Sequence, residues 1–128
     1  MLTDIEFSDD GKLIDFLSST LLEDRPEERV RQKYLRILSV EYGYEKKQMA
    51  REVGIYYGRN ELKDANGNPV RADIVVYEDS RACKTKDQGK ILFIIECKAP
   101  TQTEGYNQLV SYIYNTSASG GEIGRAHV

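Results

Sequence analysis

The stretch ILFIIECKAP, Ile91 to Pro100, decides how the rest of the chain reads. Five successive apolar residues exceed the alternation of a half-exposed strand, so they predict a central strand covered on both faces. The strand then ends on a carboxylate, a thiol and an ammonium group before Pro100 stops it. Burying a charge without a partner costs on the order of several kcal/mol, so something must compensate Glu96 and Lys98. Side chains alternate across a strand, which puts Glu96 and Lys98 on one face and Cys97 on the other.

A second apolar run, RADIVVY (Arg71 to Tyr77), predicts the neighbouring strand, and Asp73 is the one acid embedded in it. If the two strands adjoin, Asp73 and Glu96 approach each other. Two carboxylates at that separation repel, and a shared proton or a divalent cation relieves the repulsion. Mg²⁺ suits such a place, because it takes one or two carboxylates and leaves its other positions to water and phosphate. The backbone carbonyl of Cys97 offers a further oxygen, and Lys98 faces the same pocket as a positive charge beside a phosphate or an attacking water. The plainer alternative is a strand end with ordinary charges and Asp73 in a surface salt bridge.

Outward from these strands the order is helix, three strands, helix. RPEERVRQKYLRILSVEYGY predicts the first helix: Pro26 suits its first turn, Glu27 and Glu28 its positive end and Gly43 its stop. Val30, Tyr34, Ile37 and Leu38 form the apolar stripe, with Glu28 at its margin near Leu35. Arg29, Lys33 and Arg36 fall mainly on the other side, as a solvated face or a surface for DNA phosphates. QMAREVGIYY predicts a strand, Asn66-Gly67 a hairpin turn, and DSRACKTKDQG a surface loop. TQTEGYNQLVSYIYN (Thr101 to Asn115) reads as the second helix, with Tyr106, Leu109, Val110 and Ile113 inward. Residues 3–22 read as a short hairpin turning at Asp10-Gly11, followed by the apolar stretch FLSSTLL.

Three regions are expected: an amino-terminal extension over 1–24, a core over 25–117 and an unstructured tail over 118–128. The tail's EIGRAHV back-translates into the start of a common sequencing adapter, which marks it as non-native read-through. It holds the single histidine, His127, so histidine catalysis is not expected.

Composition narrows the class. The 128 residues suit one domain, and 40% apolar with 30% charged residues describes a globular chain. No apolar run approaches the roughly 18 residues of a membrane span, and the start lacks a secretory signal. Cys83 and Cys97 make neither a disulfide framework nor a metal spacing, which points to the cytoplasm. Neither cysteine has an adjacent base to activate it. A net charge of −3 gives no global pull towards nucleic acid, so any DNA contact must be local. DANGN (Asp64 to Asn68) fits a hairpin turn better than a calcium loop, since its glycine is misplaced and the terminal glutamate is missing. Paired tyrosines such as Tyr56/Tyr57 could stack on bases or edge a core.

Asp73, twenty-two intervening residues and then Glu96-Cys97-Lys98 resemble the PD-(D/E)XK nuclease motif, with Ala72 where the proline would stand. PEERVRQ, RADIVVY, ECKAP and GYNQLVSY, in that order, resemble the amino-terminal nuclease domain of the type I restriction enzyme R subunit. The likeness runs from about Pro26 to Thr116.

The resemblance implies a restriction-endonuclease-like α/β core, a mixed or antiparallel sheet flanked by helices, with the last core strand missing because the chain ends first. It implies a Mg²⁺-dependent DNA endonuclease in which Asp73 and Glu96 hold the metal, with Glu28 as an additional acid. Lys98 would position or activate the water, and Gln108 and Tyr112, the family's Q-x-x-x-Y element, would orient the site or the DNA backbone. Implied partners are double-stranded DNA and the methylation and specificity subunits of a restriction-modification complex. ATP belongs to the motor domains of the parent, because no G-x-x-x-x-G-K-[ST] loop occurs here. The rival readings are another nuclease of the superfamily, of repair or resolvase type, and a nuclease-like domain that binds DNA or partner subunits without cutting.

Overall fold

A computed structural model describes residues 2–98, 110–115 and 122–127, the last two segments and Lys98 through their backbones. The amino-terminal segment turns first at Ser8–Lys12, where Gly11 takes φ +84°, and a bridge joins Phe7 to Leu13. Strands β1 (Leu13–Ile14) and β2 (Leu21–Leu22) then pair as a small hairpin. Helix α1 (Pro26–Val40) begins on Pro26 with Glu27 and Glu28 in its first turn, as its sequence predicts. Its stripe of Val30, Tyr34, Leu35, Ile37 and Leu38 is buried.

The main sheet is antiparallel throughout. It holds β3 (Met49–Gly54), β6 (Arg71–Tyr77), β7 (Ile91–Lys98), β8 (Val110–Asn115) and β9 (Glu122–His127), in that spatial order. A side hairpin of β4 (Tyr56–Tyr57) and β5 (Asn60–Glu61) extends β3, and Gly67 at φ +82° closes the next turn. Strand β7 is central, as its unbroken apolar run requires. Alternation along β6 and β7 builds two layers. Ile74, Val76, Ile95 and Cys97 pack with Met49 under α1, whereas Ala72, Val75, Tyr77, Ile91 and Ile94 pack with Ala50 on the opposite side. Helix α2 (Ser80–Thr85) covers that second layer with Ala82 and Cys83. The result is an α/β domain of the nuclease-like kind.

Three expectations need correction. The segment read as a surface loop contains α2, whose first turn is capped by the Asp79 carboxylate accepting from the Ala82 amide at 2.8 Å. Cys83 is accordingly buried rather than set in a polar loop. The segment read as a second helix is a strand over Val110–Asn115, and its earlier part lies outside the described residues. Helical spacing of Tyr106, Leu109, Val110 and Ile113 suggested the helix. Valine, isoleucine and tyrosine favour a pleated surface equally, and β7 presents a second edge that pairs from Ile94 to Lys98. The tail read as unstructured contains β9, which pairs with the outer edge of β8 through backbone groups that need no apolar side chains.

Candidate functional site

The β6–β7 ladder runs to Ile74↔Ile95 and no further among its printed pairs, so the two strands part where the charges begin. Continuing that register by one residue sets Asp73 across from Glu96. Beyond the last pair a side chain takes over the strand contact: the Asp73 carboxylate accepts from the Cys97 amide at 2.7 Å. The other oxygen of Asp73 accepts from Arg31 Nη2, also at 2.7 Å.

Arg31 comes from the first turns of α1 and is buried, with 7% of its surface exposed. Its Nη1 donates to Glu28 Oε1 at 2.6 Å and lies 3.4 Å from Glu52 Oε1. Arg51, from β3, donates to the same Glu28 oxygen and stands 3.7 Å from Glu52. Gln32, fully buried, links this cluster to the amino-terminal segment. Its Nε2 donates to Glu28 Oε2 at 3.2 Å and to Asp15 Oδ1 at 2.9 Å, and its Oε1 accepts from the Phe16 amide at 2.8 Å.

Glu52 falls opposite Asp73 in the β3–β6 register, between Arg51↔Ile74 and Val53↔Ala72. Its φ of +51° is unusual for a side-chain-bearing residue inside a strand. Backbone strain of that kind persists where surrounding contacts over-determine it, and here the contacts are Arg31 and Arg51.

The structure therefore brings Glu28 and Asp73 together through Arg31, and seats Glu96 on the strand beside Asp73. The Glu96 side chain is half-buried. The Lys98 side chain and Gln108 lie outside the described residues. Tyr112 does not share a helix face with Gln108, because it lies on β8, paired across the ladder with Glu96. Cys97 turns its thiol into the layer under α1, and burial pushes its pKa far above the ordinary thiol value, with the nearby Asp73 adding to the rise. The thiol is inert, and only the Cys97 main chain faces the strand opening.

Asp73 has both oxygens engaged, one by an arginine and one by an amide, and Glu28 is shared among Arg31, Arg51 and Gln32. Among the described residues no group of three or more His, Cys, Asp or Glu side chains is arranged to hold a metal ion. In this arrangement the carboxylates do not fit a bound divalent cation; arginines stand where such an ion would.

Arg31, Gln32, Arg51 and Glu52 escape the sequence reading. The signal for the first two is present: Glu28, Arg31, Gln32 and Leu35 follow the spacing of one helix face. The basic face of Arg29, Lys33 and Arg36 is a correction of another kind, since it meets the amino-terminal segment rather than open solvent. Arg29 pairs with Asp24 through two 2.6 Å bonds, Lys33 donates to the Thr3 carbonyl at 3.1 Å, and buried Arg36 stacks on Phe16 with 4.8 Å to the ring centre.

The fold and the parted strands define an α/β domain of the nuclease-like class. The family model described as Type I restriction enzyme R protein N terminus (HSDR_N) matches residues 26–121, and the chain belongs to that family. No curated protein matches the chain, and no solved structure does. Among the described residues no helix is long and apolar enough to cross a membrane.

Proposed function

We propose that this chain is the DNA-cutting domain of a type I restriction R protein, a Mg²⁺-dependent endonuclease that hydrolyses a phosphodiester bond. The observation that carries the proposal is the register of the parted strands. Asp73 lies across from Glu96, two residues before Lys98, and α1 brings Glu28 to the same cluster. In this reading Asp73, Glu96, Glu28 and the Cys97 carbonyl are the oxygen donors for the metal. Lys98 is the positive charge beside the scissile phosphate, and Gln108 and Tyr112 orient the site or the DNA backbone. Because the described carboxylates are held by arginines, no step is routed through the metal here.

A cavity of about 560 Å³ opens beside Glu52, with Arg51, Arg71, Lys86, Tyr56 and Gln88 in its lining. Cations and hydrogen-bond donors in a concave surface suit the phosphate backbone of DNA, which positions a strand without reading its sequence. The methylation and specificity subunits of a restriction-modification complex would supply the sequence choice, in the cytoplasm where DNA is accessible.

The test is cleavage of supercoiled plasmid by the complete R protein with its partner subunits, with and without Mg²⁺. Lys98→Ala is expected to lower cutting by at least about 100-fold, the scale of losing one charge-stabilising group, while circular dichroism remains native. Equal cutting by the variant would remove Lys98 from the mechanism. The arginines among the carboxylates favour a second reading, a nuclease-like domain that binds DNA or partner subunits without cutting. Retained plasmid binding with no Mg²⁺-dependent cutting would support that reading over the first.

A further inference from the structure

The arginine between the two acids raises a question that the nuclease reading leaves open: how a divalent cation could reach Asp73 and Glu28. We propose that Arg31 is the resident counter-cation of this cluster, holding it closed until a divalent cation displaces the guanidinium from Asp73. The inference rests on the assignment of Asp73 and Glu28 as metal donors.

Four observations carry it. Arg31 spans the two acids at once, at 2.6 Å from Glu28 and 2.7 Å from Asp73, so it occupies the space between them. Its Nε is buried and has no hydrogen-bond partner, which leaves the guanidinium incompletely satisfied where it lies. Glu52 stands 3.4 Å from Arg31 Nη1 with about half its side chain exposed, a carboxylate to which the displaced group can swing. Arg51 holds Glu28 independently of Arg31, so the glutamate keeps its place when Arg31 leaves. The groups facing Arg31 are thus three carboxylates, Glu28, Glu52 and Asp73, with Arg51 as the second cation bonded to Glu28. A divalent ion and Arg31 compete for the same oxygens.

The experiment is Mn²⁺ binding to the 128-residue chain by isothermal titration and by electron paramagnetic resonance, for the wild type and for Arg31→Gln. The variant is expected to bind Mn²⁺ about tenfold more tightly, the ordinary size of a coupling between competing ligands. Its melting temperature without metal should fall, and Mn²⁺ should raise that temperature more than it does for the wild type. If Arg31→Gln does not fold, Arg31→Lys serves, because one ammonium group reaches only one of the two acids; it should bind Mn²⁺ more tightly than the wild type. Equal or weaker Mn²⁺ binding by the folded variant would overturn the proposal and leave the nuclease reading standing. Absence of binding by both proteins would overturn the metal assignment and this proposal together.

Discussion

The two ends of the β6–β7 pair share the same strands and are held by different physics. From Ile74 to Tyr77 on one strand and Ile91 to Ile95 on the other, the backbones ladder together, and Ile74, Val75, Val76 and Ile91 are at most 1% exposed. Beyond Ile74↔Ile95 the contact passes to a carboxylate, an amide and a guanidinium. The first end is non-directional: any well-packed apolar set of the right volume would serve. The second depends on particular atoms at hydrogen-bond distance, and loses its partners if one member changes. Chemistry sits where main-chain pairing stops, because only there are polar side chains free of the packed layers yet anchored by them.

The comparison can be broken at its apolar end first. Ile74→Ala should leave a cavity between α1 and the sheet and destabilise the chain by about 3 kcal/mol, read from the midpoint of urea unfolding. A loss below about 1 kcal/mol would mean the layer under α1 is looser than its burial indicates.

The polar end predicts a pH dependence. Burial alone would raise the Asp15 carboxyl, but hydrogen bonds from Ser18, Gln32 and the Leu17 amide outweigh it and hold the pKa below the ordinary value. A carboxylate depressed in the folded state contributes stability that is complete above its unfolded pKa of about 3.9 and is lost as pH falls through the folded value. Asp15→Asn should therefore flatten the acid limb of the stability curve and cost about 2 kcal/mol at pH 7, the scale of hydrogen bonds to a charged group. An unchanged acid limb would detach Asp15 from the network that reaches Glu28 through Gln32.

The smallest effect belongs to the cap on the apolar side. Asp79→Ala removes the carboxylate that accepts from the Ala82 amide, and should cost about 1 kcal/mol. Hydrogen exchange at α2 should speed up while exchange at Asp73 and Cys97 stays the same. Faster exchange at both places would show that the two ends of the strand pair are coupled rather than independent.

Much of this architecture is legible in one dimension. Pro26 with Glu27 and Glu28 announces α1, the apolar run before Glu96 announces a central strand, and Asp73 stands out as an acid inside RADIVVY. Each signal is local, a matter of period or of one residue out of pattern. Val110 to Asn115 shows the limit of such signals, since VSYIYN carries enough helical spacing and enough strand preference to fit either state. The partner decides, and here the partner is the second edge of β7. The candidate site divides in the same way: its acids are legible as residues, whereas the arginines that hold them are not.

Sequence alone determined the helix, the order of the central strands, the family and the identity of the acids, because hydrophobic period and motif spacing are properties of neighbours along the chain. Tertiary structure alone decided that Arg31 lies between Glu28 and Asp73 and that Gln32 ties them to Asp15. Forty-two positions separate Arg31 from Asp73. No pattern in the chain encodes such a contact; it exists because burying each charge without the other would be too costly.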